Sequence, residues 1–109
     1  LEKNPRYLTR SKSFDTFFSF GPELVTVDEV ADVDALEVST LHNGSLHRRN
    51  VVSNMTFRPW WLVAFHSRVM TLLPGDVIST GTPGAVHIRS GDTAGVQITG
   101  FRELTNPVA

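Results

Sequence analysis

Cysteine is absent from this 109-residue sequence, which excludes a disulfide framework and any thiolate zinc site. Its absence fits a cytoplasmic location, which is the expectation. Long apolar runs are missing as well: the longest, Trp60 to Phe65, has six residues where a bilayer crossing needs about 20. No membrane partner is expected. The opening residues LEKNPRYLTRSK carry charges but no following apolar stretch of the kind a secretory signal needs, and they read like the middle of a chain. Excess basic charge is lacking too. Ten Lys plus Arg against eleven Asp plus Glu leave a net charge of −1, which argues against a nucleic-acid partner. Several catalytic signatures are absent: the Gly-x-x-x-x-Gly-Lys-Ser/Thr phosphate loop, Gly-x-Gly-x-x-Gly, the Gly-x-Ser-x-Gly elbow and His-Glu-x-x-His.

What remains is the composition of a folding chain, 40% hydrophobic and 19% charged. Its length is below one average domain of about 150 residues, so a single core is expected over 1–109. A domain this small buries only about 60–65% of its unfolded surface, and its stability is marginal unless something else packs on it. Charge is unevenly spread: from Ser13 to His47 there is no Lys or Arg, while seven acidic residues from Asp15 to Glu37 fall there. Such a block reads as a solvated surface or one facing a basic patch.

Six prolines and eight glycines leave short runs that favour strands. Residues 36–41 alternate, with Leu36, Val38 and Thr40 set against Glu37, Ser39 and Leu41. Asn43-Gly44 then supplies a type I′ turn before a return strand, Ser45 to Val51. One helix is expected near 58–69, with Asn54 as N-cap, Pro59 in an early position, and Trp61, Leu62, Phe65 and Val69 as its apolar stripe. A turn at Leu73-Pro74-Gly75-Asp76 precedes a buried strand Val77 to Ser79, and Gly91-Asp92 turns into a strand Gly95 to Thr99. The last strand should include Phe101 to Leu104 and end at Asn106-Pro107. Mainly β structure (α+β) with one helix across a sheet or roll follows, without the alternation of a doubly wound sheet.

Two local features suggest chemistry. Lys12 stands beside aromatic residues in Lys12-Ser13-Phe14-Asp15-Thr16-Phe17, where partial desolvation would ready its ammonium for an anion; a plain structural lysine is the alternative. Thr80-Gly81-Thr82-Pro83-Gly84 follows an apolar run, and its glycines let backbone N–H groups approach a ligand while its hydroxyls can bind a carboxylate. A simple turn is the alternative there. The four histidines lack metal-ligand spacing, and Asp32-x-Asp34, projecting to one face of an extended segment, could hold a hard cation.

Taken together, the Lys12 to Phe17 segment, Gly21-Pro22, Asn43-Gly44, Met70-Thr71-Leu72-x-Pro74-Gly75-Asp76-Val77-Ile78-x-Thr80-Gly81-Thr82-Pro83 and Asn106-Pro107-Val108 resemble the fumarylacetoacetate hydrolase family, in order and spacing, from about Thr9 to Val108. The resemblance implies a β-rich roll of mixed sheets, a homodimer or larger homo-oligomer, and Mg²⁺ or Mn²⁺, sometimes Ca²⁺. It also implies small 2-oxo acid or diacid substrates, including hydroxydienoic diacids from aromatic breakdown. Hydrolysis, decarboxylation and isomerisation in such acids share an enolate that a Lewis acid stabilises. By resemblance, Lys12 is the catalytic lysine, Thr16 is grouped with the metal site in its second shell, and Gly81 and Thr82 bind substrate. The family's metal carboxylates, a Glu-x-Glu pair and an Asp, lie upstream of the lysine motif and have no counterpart in this sequence. A C-terminal fragment, inactive alone, is therefore expected. A non-catalytic oligomerisation module is the second expectation, and a Ca²⁺-binding loop at Asp28 to Asp34 the third.

Overall fold

The Asn43-Gly44 dipeptide organises the first hairpin. A computed structural model, which describes Thr9 and residues 12–109, runs β1 over Glu37–His42 and β2 over Ser45–Val51, paired antiparallel. Asn43 at φ 51° and Gly44 at φ 74° both occupy left-handed backbone, as a two-residue type I′ turn demands. The Asn43 side chain holds this conformation by accepting the Thr93 N–H on Oδ1 at 2.8 Å. The register of the hairpin shifts between Thr40 and Leu41.

The other edge of β1 pairs with β3 (Thr93–Ile98), and β4 (Leu104–Pro107) pairs with β3, giving the order β2-β1-β3-β4. The three pairings among the described residues are antiparallel rather than mixed, within the expected mainly β class. Period-two alternation sorts the side chains. Val38, Thr40, Asn50, Val96, Ile98 and Leu104 share one face by register, while Ser39, Arg49, Gln97 and Thr105 take the other.

Several boundaries differ from the sequence-based expectation. Val77 to Ser79 is not a strand, and Val77 is 60% exposed. The open edges of the four-stranded sheet belong to β2 and β4, and this apolar run pairs with neither. The turn before it does form, with the Asp76 carboxylate accepting the Leu73 N–H at 2.8 Å. The last strand starts at Leu104 because Phe101 N–H closes a turn onto the Ile98 carbonyl at 2.9 Å. As expected, the strand ends at Asn106-Pro107, both of which pair within it. As an edge strand β4 tolerates a proline that cannot donate.

The helix α1 spans Pro59–Ser67, with proline at its first turn and Arg58 as N-cap. Asn54 is not the cap; it closes a short 3₁₀ turn, Val52–Asn54, at the end of β2. The apolar stripe of α1 exists but is not a core. Phe57, Trp61 and Phe65 stack ring on ring with centroids 4.3 and 5.0 Å apart, and all three remain exposed, as does Val69. Among the described residues the only buried hydrophobic side chain is Val52, beneath the junction of β2 and its following turn.

The acidic block does meet basic partners, contributed by later parts of the chain. Glu23 pairs with Arg102, Asp34 with Arg58 and Glu37 with Arg49, at 2.8, 2.7 and 3.1 Å. Asp32 caps the 3₁₀ turn Val33–Ala35 by accepting the Asp34 N–H. With one carboxylate capping a turn and the other on an arginine, the Asp32-x-Asp34 pair is not the extended cation site the sequence suggested.

Candidate functional site

The loop Thr80 to Gly84 comes to lie against the first hairpin, and a cavity of about 300 Å³ opens between them. Its lining includes Val38, Asn50, Met55, Pro59, Gly81 and Thr82. Gly81 adopts φ 99°, a conformation in which a side chain is strained, which is why glycine suits this bend. Three contacts hold the loop in place. The Thr82 and Thr40 hydroxyls are 2.8 Å apart. His47 Nε2 donates to the Ala85 carbonyl at 3.1 Å. The Arg48 stem passes so near Gly84 that a Cβ there would meet its Cγ at 2.6 Å. Of the residues marked out by sequence, Gly81 and Thr82 thus share one cavity.

Thr16 lines a different cavity, of about 500 Å³, with Phe17, Val96, Leu104 and Asn106. By register, Val96 and Leu104 belong to the sheet face that carries Thr40 and Asn50, so the two cavities lie over the same face. The Phe17 N–H bonds the Phe14 carbonyl at 3.1 Å, closing a turn in which Thr16 has φ 69°. A β-branched residue in left-handed backbone is strained, and such strain is characteristic of functional positions. Lys12 is exposed, in a helical position four residues before Thr16. It is not among the lining residues of the Thr82 cavity or of the Thr16 cavity.

A second polar cluster fastens the end of the sheet. Asp92 accepts from Asn43 Nδ2 at 2.9 Å, from the Arg89 N–H at 2.8 Å, and meets His42 Nε2 at 3.0 Å. Hydrogen bonds from Asn43, then His42 and then the Arg89 N–H, hold the Asp92 carboxyl down at about 2. All of these partners stabilise the charged form. The described residues contain no group of three His, Asp or Glu side chains placed to share an ion. They do not fit a divalent metal by themselves.

Asn50, which lines the cavity, and Thr40, which bonds Thr82 from outside the lining, were not marked out by sequence. Thr40 read only as one of an alternating series, and Asn50 only as part of a return strand. The available signal was the alternation: Asn50 shares the face of Val38, where an apolar residue is the ordinary choice, although Asn50 itself is exposed.

The family model for the C-terminal part of fumarylacetoacetate (FAA) hydrolase matches residues 2–109. The chain belongs to the fumarylacetoacetate hydrolase family. It is 34% identical over 116 residues to the mitochondrial oxaloacetate tautomerase fahd2 of Xenopus laevis, covering 99% of this chain and 36% of that protein. The 5-carboxymethyl-2-hydroxymuconate delta-isomerase of Mycobacterium smegmatis superposes with a TM-score of 0.83 at 44% identity, over 92% of this chain and 39% of the isomerase. Maleylpyruvate hydrolase from Sphingobium sp. SYK-6, in a crystal structure with manganese(II) and pyruvate, gives a TM-score of 0.87 at 32% identity, over 95% of this chain and 40% of the hydrolase. Divalent metal use therefore occurs within the family. This chain spans well under half the length of these three relatives.

Proposed function

We propose that this chain is the substrate-holding C-terminal part of a fumarylacetoacetate hydrolase family enzyme, acting on a small 2-oxo acid or diacid by hydrolysis or isomerisation, tautomerisation included in the latter class. The observation that carries the reading is the Thr82 hydroxyl, set into a cavity and held by Thr40. A hydroxyl donates once and accepts twice. When Thr40 donates to Thr82, the Thr82 proton remains for an acceptor in the cavity, and the Gly81–Thr82 backbone offers N–H groups beside it. A substrate carboxylate held there fixes the 2-oxo carbon relative to the sheet, and positioning of this kind is a large part of catalysis. Lys12, which lines neither cavity, is proposed to meet the negative charge that develops on the 2-oxo oxygen from outside the Thr82 lining. The pyruvate and the oxo-acid names of the relatives support the substrate class. Breakdown of aromatic compounds is the proposed setting.

A chimera tests this reading. The matched segment of the Sphingobium hydrolase is replaced by residues of this chain and assayed for maleylpyruvate turnover. Turnover is expected, with Thr82→Val lowering it by about 100-fold. A folded chimera without turnover, or one indifferent to Thr82→Val, overturns the proposal.

A second reading, assembly through the exposed face of α1, is favoured by the Phe57–Trp61–Phe65 stack. Burying those rings between two copies removes apolar surface from water. Size-exclusion chromatography is expected to show a homo-oligomer that Trp61→Glu dissociates; a monomeric parent chain contradicts this.

A further inference from the structure

We infer that Asn50 is a second binding residue of the Thr82 cavity, presenting its carboxamide N–H groups to the carboxylate that Thr82 holds; this rests on the functional reading above. Asn50 sits on β2 opposite Val38, on the sheet face that carries Thr40, and both Asn50 and Thr82 line the cavity.

Its amide orientation follows from chemistry. The Val51 backbone N–H can only donate, so the atom it meets at 2.9 Å is the carbonyl oxygen Oδ1. Asn54 Nδ2 donates to that same oxygen at 2.7 Å. Two donors fill the two lone pairs of Oδ1 and pin the amide plane, leaving Nδ2 with two N–H groups to place. Among the described residues no acceptor meets that nitrogen.

The chemistry of the surroundings selects the ligand. Every residue lining the cavity is uncharged. A carboxylate in a neutral lining depends on directed donors, since no fixed cation attracts it, and each hydrogen bond to a charged group counts for more than one between neutral groups. A cation finds no anionic partner in this lining. The hydroxyl of Thr82 and the amide of Asn50 can then serve the two oxygens of one carboxylate.

Asn50 has a second use, stabilising the 3₁₀ turn Val52–Asn54, but that use needs only Oδ1. The two roles can therefore be separated. Asn50→Asp retains an acceptor for Val51 and Asn54, loses the N–H donors and places negative charge in the cavity.

The experiment is a pyruvate titration of the ¹⁵N-labelled 109-residue chain. The Asn50 side-chain NH₂ and Thr82 amide resonances are expected to move together with one Kd. Asn50→Asp is expected to weaken binding at least about tenfold, while hairpin signals from Leu41 and Leu46, at the turn end of the hairpin, stay in place. Arg49→Gln, next along the strand but on the other sheet face, should leave the Kd unchanged. If Asn50→Asp perturbs the hairpin signals, Asn50→Ser, which keeps an acceptor for the Val51 N–H, is read instead with the same two outcomes. Unchanged affinity in the Asn50 variant, with binding still lost in Thr82→Val, overturns this inference and leaves the functional reading standing. No saturable shift at Thr82 in the unaltered chain overturns both.

Discussion

Thr40 and Thr82 are joined hydroxyl to hydroxyl at 2.8 Å, across 42 positions of sequence. The bond ties β1, an inner strand of the sheet, to the loop that forms the cavity wall, so the geometry of the site depends on a residue outside the loop. Thr40→Val removes the partner and keeps the shape. Pyruvate binding is expected to weaken about fivefold, the effect of one ordinary hydrogen bond, and Thr40→Ser is expected to restore it. Isothermal titration of the three proteins reads the series; equal affinities would show that the bond does not position Thr82.

Asp92 gives the fold an acid-sensitive clamp. Its carboxyl is lowered from an ordinary 3.8 to about 2 by Asn43 first, then His42 and the Arg89 N–H. A carboxylate with a depressed folded value stabilises the fold at pH above its unfolded value, and that contribution disappears as pH falls toward the folded one. The stability difference between the parent and Asp92→Asn should therefore be full near neutral pH and shrink between about pH 4 and pH 2. Urea denaturation across that range checks it, and a difference independent of pH contradicts it.

Thr16 occupies left-handed backbone at φ 69°. Left-handed backbone costs a residue with a Cβ about 1–2 kcal/mol, and glycine escapes the cost. Thr16→Gly should accordingly exceed Thr16→Ala in stability by about 1 kcal/mol, part of the gain being offset by the freedom of glycine in the unfolded chain. Denaturant midpoints decide the matter; an alanine variant as stable as the glycine one would show that no strain is stored there.

Gly44 is the second left-handed residue of the hairpin turn, at φ 74°, and a Cβ there meets nothing within 4 Å. The cost of Gly44→Ala is thus conformational rather than steric contact, about 1 kcal/mol. Thermal denaturation should show a lower Tm with the β1–β2 register unchanged by amide exchange.

How much of this was legible follows the range of the forces. The hairpin could be read from residues 36–51 because its alternation and its Asn43-Gly44 turn are local. Pro59 marked the start of α1 for the same reason. The partnership of Asp34 with Arg58 spans 24 residues, and nothing near either one announces it. The stripe through Trp61 and Phe65 was legible as a stripe, but periodicity cannot say whether a neighbour covers it. Val77 and Ile78 have strand composition, yet a strand exists only where the chain runs alongside a partner, and this run pairs with neither edge of the sheet. In the site, Thr82 stood out through its glycine-rich loop and its motif, whereas Thr40 and Asn50 owe their places to strand register, which becomes visible only once the hairpin and the loop come together.

Pyruvate bound in a crystal of this chain is the most direct test of the account. The account predicts its carboxylate within about 3 Å of Thr82 Oγ1, inside the cavity under the Gly81 loop. Pyruvate seated beside Thr16 and Phe17 instead, with the Thr82 cavity holding only solvent, would contradict it.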